Sequence, residues 1–407
     1  MTMSTHERYR GALTVLASDA AILSIVSQAG ERCGWWAPER TWRRMYERFT
    51  PDAASFVEIV FSSETPPQAL CRIEVSERRR DDCGNPRDVC QVDAHVGWAR
   101  VTRFPFDAGL PDLAASFTPF TRFTGAADAT VVRYRPGRRC TARIVIGDRP
   151  VFAKAYASNA GARVHRDLVA LHRVASKGAL RMAIPEPLAW DDRTWTLWQG
   201  ALTGRPATEG LCGARGGDLA RRMGAAAASL TRAAVEPSET FDAAAALVRT
   251  RRHAGELASR VPHLSDLLDA IVDRLGELHA EWPSREPRPI HGSPHPSQWL
   301  DAGSEIGLVD FDRFGRGDPE LDAGVLLADF DALDAPVVPP ERLAAALLDA
   351  YRAAGVPLRE PLVRAYRAHQ QLARALRAAQ AIRPDGDRRA EKRLAAAGRT
   401  LTEAVPV

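Results

Sequence analysis

The sequence has 407 residues, of which 26% are charged and 45% hydrophobic, and it carries a formal net charge of +4. This composition is typical of a soluble globular protein with two or three domains, and the small net charge gives no reason to expect binding to nucleic acid or to a membrane. Asp19 interrupts the apolar residues near the N-terminus, where we expect neither a signal peptide nor a membrane span. Six scattered cysteines fit no disulfide scaffold and predict free thiols in the cytoplasm.

Residues 1–125 predict a cap of mixed α and β structure that precedes the rest of the fold. Apolar positions recur every three or four residues in Tyr9–Ala29, which predicts a helix. Two apolar runs on either side of a proline-rich turn, Ser55–Ser62 and Ala69–Val75, predict strands. The polar and charged stretch Ser76–Asp93 predicts a loop.

Residues 126–204 form the second segment of the chain. Its first part predicts three antiparallel strands, at Ala129–Tyr134, Cys140–Ile146 and Val151–Tyr156. The first turn between them contains Gly137 and Arg138, and it could place backbone amides and arginine charge over phosphate groups. An ordinary exposed hairpin is the alternative interpretation of this turn.

Lysine is nearly absent, since it occurs only at Lys154, Lys177 and Lys392. Lys154 lies in the third predicted strand, where its ammonium group is expected to contact the α- and β-phosphates of a nucleotide. An edge-strand lysine that reaches water is the alternative. In the helix predicted after this strand, Asp167 is the candidate to hold Lys154 in place, unless it pairs with Arg163 four residues earlier.

Residues 205–407 predict a helical large lobe. A strand at Thr194–Gln199 and a glycine-bearing segment lead into it. The predicted helices of this half are Leu219–Ala234, Ala243–Ala258, Leu264–Trp282, one that starts at Asp318-Pro319, Glu341–Gly355, Leu358–Ile382 and Arg388–Ala404.

The densest cluster of polar side chains, His291–Gln298, precedes two short apolar runs separated by a glycine-bearing turn. This pattern predicts a hairpin within residues 290–313. The hairpin would bring Gln298, at its start, and Asp310, at its end, to face the same point. An amide oxygen and a carboxylate oxygen at one point suit a magnesium ion that carries phosphates.

This segment resembles the catalytic segment of the aminoglycoside phosphotransferase and choline kinase-like family. The shared residues are His291, Gly292, His295, Pro296, Asp310, the run Gly317–Glu320 and Asp322. The resemblance implies an α+β, bilobal fold of the protein-kinase type. Residues 126–204 would form a small lobe with an antiparallel sheet that binds the nucleotide, and residues 205–407 would form a helical second lobe. It also implies ATP and Mg²⁺ as cofactors, with Asp310 and Gln298 as metal ligands. Backbone groups near Gln199 and Ala201 would hold the adenine. The sequence departs from the family pattern where Ser293 replaces the catalytic Asp and Gln298 replaces the metal-binding Asn.

Loss of the carboxylate at position 293 changes how the acceptor hydroxyl would be handled. Ser293 cannot accept a proton near neutral pH, but its oxygen can orient a substrate hydroxyl by a hydrogen bond. Two nearby side chains are candidates for the missing base: His295, since histidine titrates near neutral pH, and Asp312. A purely structural role for the His295-Pro296 pair is the alternative.

Three functions are compatible with these residues. The preferred one is an ATP-dependent phosphotransferase that acts on a hydroxyl of a small molecule. The second is a pseudokinase, which would bind nucleotide and act through a protein partner without transfer chemistry. The third is a nucleotidyl transferase that adds AMP. All three require Lys154 and Asp310 to contact the same nucleotide. The three functions differ in the effect of Ser293 at the position of the catalytic Asp.

Overall fold

The computed structural model describes residues 8–51, 53–64, 68–80, 88–117, 129–283 and 285–402. The chain divides into two compact units. The first unit contains Met1–Gly161, Ala189–Gln199 and Arg377–Arg389, and the second contains Ala162–Leu188, Gly200–Leu376 and Ala390–Val407.

The N-terminal part of the first unit packs two helices on a five-stranded antiparallel sheet. The helices are α1 (Arg10–Leu16) and α2 (Asp19–Cys33), and the strands are β1 (Trp42–Phe49), β2 (Val57–Ser63), β3 (Leu70–Ser76), β4 (Val89–Asp93) and β5 (Trp98–Arg103), in the order β1-β2-β3-β5-β4. The predicted strands β2 and β3 are confirmed, whereas the helix predicted at Tyr9–Ala29 is two helices. The loop predicted for Ser76–Asp93 is wrong at its end, because β4 pairs with β5 there.

A second five-stranded sheet completes the first unit. After the short helix α3 (Leu113–Ser116) come β6 (Thr130–Arg135), β7 (Arg139–Ile146) and β8 (Arg149–Tyr156), and later β9 (Pro187–Asp191) and β10 (Thr196–Gly200), in the order β6-β7-β8-β10-β9. The three predicted antiparallel strands are therefore confirmed. Gln68, in the turn between β2 and β3, connects the two sheets: its side chain accepts from Val131 N–H at 2.7 Å and donates to Val131 O at 3.0 Å.

The second unit is mainly helical. Its helices are α4 (Ala160–Ala175), α5 (Ala207–Cys212), α6 (Gly216–Thr231), α7 (Ala243–Arg260), α8 (Ser265–Glu281), α9 (Pro319–Phe330), α10 (Pro340–Ala353), α11 (Glu360–Ala379) and α12 (Gly386–Thr402). The helices predicted in this half are confirmed to within a few residues at their ends. Helix α9 begins after Asp318 as predicted, but the Asp318 carboxylate makes no hydrogen bond to the helix N-terminus.

Two small sheets in the second unit carry the polar segment singled out in the sequence. One consists of β11 (Arg205–Pro206), β14 (Trp299–Asp301) and β15 (Ile306–Leu308), and the other of β12 (Thr240–Phe241), β16 (Gly315–Gly317) and β13 (Arg288–Ile290). Strands β14 and β15 pair antiparallel, which confirms the predicted hairpin. The residues between β13 and β14 include a turn of 3₁₀-helix at Pro296–Gln298.

The fold class is α+β, with antiparallel sheets, a helical C-terminal half and an additional α/β segment at the N-terminus, as the sequence predicted. Among the described residues, no single helix has the length and apolar character needed to cross a membrane. The bent pair of α1 and α2, with 76° between its helices, meets that test by length and composition.

A buried pair of histidines joins three helices of the second unit. Nδ1 of His369 on α11 is hydrogen-bonded to Thr250 Oγ1 of α7 at 2.6 Å. Nε2 of the same ring lies 3.0 Å from Nε2 of His279 on α8. Burial lowers the pKa of both imidazoles, and nearby positive charge at Arg249 and on the neighbouring histidines lowers that of His369 further. The folded protein therefore favours the neutral form of both rings.

We expect this pair to make the protein less stable in mild acid. The unfolded chain takes up protons at these histidines below about pH 6.5 more readily than the folded chain does, so the free energy of unfolding falls as pH falls. The slope is about 1.4 kcal/mol per pH unit for each histidine. Denaturant unfolding of the wild type and of His369→Gln at about pH 7.5 and about pH 5.5 measures the effect.

The wild type should lose more stability than the variant over this interval. Burial raises the pKa of the Asp322 carboxyl to about 7, so this group titrates in the same range and favours the folded state in acid. Because Asp322 is present in both proteins, its contribution cancels in the comparison. Equal losses in the two proteins would contradict the assignment of neutral buried rings.

Candidate active site

The polar loop between β13 and β14 is held by one buried carboxylate of α9. Asp322 accepts the backbone N–H of His291 at 2.7 Å and that of Gly292 at 2.8 Å, one at each carboxylate oxygen. The side chain of Asp322 is 1% exposed. Two hydrogen bonds of this kind fix the direction in which the loop leaves β13, so Asp322 sets the position of the residues that follow.

Gly292 is required at its position by backbone conformation and by space. Its φ is +77°, and a Cβ there would lie 2.4 Å from the carbonyl oxygen of Arg313. The buried ring of His291 packs edge-on against Phe311, and its Nε2 lies 3.1 Å from the carbonyl oxygen of Val309. The loop is therefore in direct contact with the segment that follows β15, and His291 braces it.

The hairpin brings Gln298 and Asp310 together. Gln298 Nε2 donates to Asp310 Oδ2 at 3.0 Å, while Gln298 Oε1 accepts the backbone N–H of His295 at 2.8 Å. The amide oxygen, predicted as a metal ligand, is thus used inside the loop, and the amide nitrogen faces the carboxylate. The reverse amide orientation would place two N–H donors, those of Gln298 and His295, against each other.

Asp310 has a left-handed backbone conformation, with φ 70° and ψ 52°. Residues other than Gly adopt this region at a cost, and such residues collect at functional sites. The segment after Asp310 is held by Arg163 of α4, which donates to the carbonyl oxygen of Asp312 at 2.8 Å and to that of Phe314 at 3.3 Å. Arg163 also pairs with Glu239 at 2.7 Å, so α4 and the segment before β12 both support the Asp310 turn.

Ser293, His295 and Asp329 are connected in series. Ser293 Oγ lies 3.1 Å from His295 Nε2, and His295 Nδ1 lies 2.7 Å from Asp329 Oδ2. The Asp329 side chain is 1% exposed, and its other oxygen binds Arg374. The sequence predicted roles for Ser293 and His295 but gave no sign of Asp329, which is 34 residues away from His295 on a helix without a polar face.

Asp167 is hydrogen-bonded to residues of its own unit, the second one. Its two carboxylate oxygens accept from Ser238 Oγ at 3.0 and 3.1 Å, and Arg163 donates to it at 3.4 Å. The pairing with Arg163, weighed from the sequence, is present. The pairing with Lys154 would connect the two compact units and stays a prediction. Asp312, the second candidate base, contributes its backbone oxygen to Arg163.

Lys154 lies in β8 of the first unit and is 5% exposed. Its ammonium nitrogen is 5.7 Å from the centre of the Tyr156 ring. This burial argues against the alternative interpretation, in which Lys154 lies on an edge strand and its ammonium group reaches water. Its predicted contact with nucleotide phosphates, and its meeting with Asp310, stay predictions.

The turn between β6 and β7 uses its amides within the chain. Gly137 N–H donates to Asp107 Oδ2 at 2.7 Å, and Arg138 N–H donates to Arg135 O at 3.1 Å. The same Asp107 oxygen accepts the hydroxyl of Tyr134 at 2.7 Å. The two amides are consequently used within the chain, whereas the Arg138 side chain is exposed. Contact of this turn with a phosphate stays a prediction.

The predicted adenine contact lies where the chain leaves β10. Gln199 and Ala201 are both partly exposed on either side of Gly200, whose N–H donates to the carbonyl oxygen of Glu186 at 2.8 Å. That hydrogen bond fixes the backbone between the two residues. The adenine contact itself stays a prediction.

Comparison with known protein families decides the assignment of the chain. A family model described as the phosphotransferase enzyme family matches residues 130–362, which is more than half of the sequence. The chain belongs to this family. The matched residues of the phosphotransferase run from β6 to α11 and include the whole loop and hairpin described above. None of the curated proteins matches the sequence significantly.

Solved structures agree with the family at the level of the fold. A choline/ethanolamine kinase family protein from Mesorhizobium loti aligns with a TM-score of 0.52 at 18% identity, covering 72% of this chain and 95% of the other. The GDP complex of aminoglycoside 2'-phosphotransferase-IIIa aligns with a TM-score of 0.50 at 15% identity, covering 70% of this chain and 98% of the other. At these identities the likeness establishes the fold that the phosphotransferase shares with both.

The family implies a magnesium ion, and the residues present fit it in part. Asp310 supplies a carboxylate of the kind that Mg²⁺ prefers, and Mg²⁺ is commonly bound through one or two carboxylates together with substrate phosphates. Gln298 does not fit as arranged, because its amide nitrogen faces Asp310. Across the described residues, no group of three or more His, Cys, Asp or Glu side chains is placed to hold a metal ion. Metal binding by Asp310 and by Gln298 stays a prediction.

Proposed function

We propose that this phosphotransferase transfers the terminal phosphoryl group of ATP to a hydroxyl of a small molecule. The observation that carries the proposal is Asp310, a carboxylate held in a strained turn at the end of the hairpin and steadied by Gln298. A stability role does not require a left-handed aspartate at this point, whereas a metal–nucleotide site requires a carboxylate in a fixed position. Bound magnesium would neutralise phosphate charge there.

The chain's own residues would supply positioning and proton transfer. Lys154 is proposed to contact the phosphates, with Arg138 adding charge and the backbone near Gln199 and Ala201 holding the base of the nucleotide. Ser293 would orient the acceptor hydroxyl, and His295, whose Nε2 lies 3.1 Å from Ser293 Oγ, would act as the base of the loop. Such a base adds roughly 10²- to 10⁴-fold to the rate.

Nucleotide binding is the first test. Mg-ATP at about a hundred times its Kd should raise the free energy of unfolding by about 2.7 kcal/mol, because the ligand binds only the folded state. Thermal melting with Mg-ATP, with magnesium alone as the control, measures the shift. A protein that melts at the same temperature in both solutions does not bind nucleotide, and the proposal would then be wrong.

Turnover separates the phosphotransferase from its two alternatives. ATP consumption is measured across a panel of hydroxylated small molecules, and the product mass distinguishes a phosphoryl group from AMP. Phosphorylated product supports the proposal. A nucleotide-dependent shift in melting without any product would favour the pseudokinase, and an added AMP would favour nucleotidyl transfer.

A further inference from the structure

Three side chains of the second unit form a nucleophile, a base and an orienting carboxylate. Ser293 Oγ is 3.1 Å from His295 Nε2, and His295 Nδ1 is 2.7 Å from Asp329 Oδ2. The hydroxyl and the imidazole lie in one loop, and the carboxylate comes from the end of α9. This sequence of contacts is the arrangement by which proteins activate a serine for covalent catalysis.

The hydrogen-bond network fixes the tautomer of His295. Asp329 is a carboxylate and can only accept, so the proton of the neutral imidazole lies on Nδ1. Nε2 is then an acceptor, and the partner it faces is the Ser293 hydroxyl. The ring is consequently oriented to take the proton of Ser293 as the serine oxygen forms a new bond.

Asp329 is in a place where a carboxylate contributes little to stability by itself. It lies next to the last residue of α9, where the helix dipole is unfavourable to an anion, and it is buried. Arg374 and His295 offset that cost. One of its two carboxylate oxygens is used by His295 and the other by Arg374, so the buried carboxylate holds the imidazole in place.

A reaction at Ser293 requires the serine to be accessible and the carboxylate that orients the base to be held in place. Ser293 and His295 are partly exposed, whereas Asp329 is buried. The flanking Pro294 and Pro296 are buried, and the Gln298 side chain accepts the N–H of His295. The loop is therefore held in place while its hydroxyl stays open to a reactant.

We propose that Ser293 is an activated nucleophile that accepts the phosphoryl group itself, so that a phosphoserine forms before the small-molecule hydroxyl is phosphorylated. The inference rests on the proposed function for its phosphoryl donor, a nucleoside triphosphate. Asp329 is a positioning residue, which holds the His295 tautomer. The nucleoside triphosphate is the reactant of the first transfer, and the small-molecule hydroxyl is the reactant of the second.

The two steps balance. In the first, the bond from Ser293 Oγ to the terminal phosphorus forms, the bond from that phosphorus to the leaving nucleoside diphosphate breaks, and the Oγ proton moves to His295 Nε2. In the second, the acceptor oxygen bonds to phosphorus, the bond from phosphorus to Oγ breaks, and His295 returns its proton to Oγ. The acceptor proton is released to water.

A fluorophosphonate probe tests the activated serine without nucleotide. Diisopropyl fluorophosphate is incubated with the full chain, and peptide mass mapping locates the label. Ser293 should be modified, and His295→Gln and Asp329→Asn should each slow labelling at least about a hundredfold, since Asn favours the wrong tautomer. Ser297, an exposed serine of the same loop, is the internal control. Labelling of Ser293 no faster than that of Ser297 would overturn the proposal.

Mg-ATP tests the phosphoryl transfer. In the absence of an acceptor, the wild type and Ser297→Ala should each carry one phosphoryl group on Ser293, and Ser293→Ala should carry none. Melting curves of each variant establish that it is folded. A chain whose melting temperature rises with Mg-ATP but which carries no phosphoryl group at Ser293 overturns the inference and leaves the proposed function standing. If Mg-ATP does not raise the melting temperature, the proposed function is wrong. The fluorophosphonate result then still decides whether Ser293 is activated.

Discussion

Asp310→Asn is expected to reduce phosphoryl transfer at least about a hundredfold while leaving the fold intact, because it removes the charge that we propose faces a metal–nucleotide. The free energy of unfolding should stay within about 0.5 kcal/mol of the wild type. Asparagine tolerates the left-handed conformation of residue 310, with φ 70°, and its amide oxygen still accepts from Gln298. Turnover of ATP and denaturant unfolding of the purified variant measure the two quantities.

The matched control for this prediction is Asp334→Asn, which removes an equal charge from an exposed position of the same unit. It should leave both turnover and stability unchanged. If Asp310 only ends a strand and closes a turn, Asp310→Asn will turn over ATP as fast as Asp334→Asn does, and the assignment of Asp310 to a metal–nucleotide site will be wrong.

Arg359→Ala is expected to lower the free energy of unfolding by about 3–5 kcal/mol, since it leaves two buried carboxylates without their cation. The Arg359 side chain is 8% exposed, and its Nε donates to Glu320 Oε1 at 2.9 Å while a terminal nitrogen donates to Asp318 Oδ1 at 2.9 Å. Another terminal nitrogen donates to the carbonyl oxygen of Pro283 at 2.7 Å. Tyr366 donates its hydroxyl to the second Asp318 oxygen at 2.9 Å, so the group joins the segment after α8 to the start of α9 and to α11.

Denaturant unfolding of Arg359→Ala is compared with Arg359→Lys and with Arg352→Ala. Lysine retains the charge but cannot bind both carboxylates with a planar fork, so its loss should be intermediate. Arg352 pairs with Asp349 at 2.6 Å on the surface, with side chains 72% and 65% exposed, and its removal should cost at most about 1 kcal/mol. A loss for Arg359→Ala no larger than for Arg352→Ala would show that the buried network contributes nothing.

The position of this network explains why it matters for the site. Asp318 and Glu320 begin α9, and the same helix carries Asp322 and Asp329 farther along. Asp322 holds the amides of His291 and Gly292, and Asp329 holds His295. Movement of the start of α9 would therefore displace both supports of the loop between β13 and β14. If that loop carries the proposed transfer, Arg359→Ala should also lower its rate.

Secondary structure was largely predictable because its signals are local. Alternating apolar residues gave β6, β7 and β8, and the period of three to four gave the helices of the second unit. β1 was missed because four of its eight residues are Arg or Glu, which hides the alternation of a strand. β4 was missed because it is five residues long and adjoins a charged stretch. In both strands, pairing with a neighbour outweighed local composition.

The hairpin was predictable for a similar reason. Two apolar runs separated by a short glycine-bearing turn pair in one way, so Gln298 and Asp310 meet whatever surrounds them. The orientation of the Gln298 amide was not predictable, because it depends on the N–H of His295, which only the folded loop presents. Composition identifies an amide at the site but not which end of it faces the carboxylate.

The amino-acid sequence by itself determined the helices and the residues that meet in the hairpin, since these depend on contacts between residues close in the chain. The residues of the polar loop and of the hairpin carried the family resemblance, and the α+β class followed from that resemblance. Only the tertiary structure decided which carboxylates hold the loop between β13 and β14. Helix α9 is buried on all sides, and its acids at positions 320, 322 and 329 show no polar face that would reveal where they point. Their partners lie 30 or more residues away, and a buried carboxylate is placed by whichever donors packing brings to it.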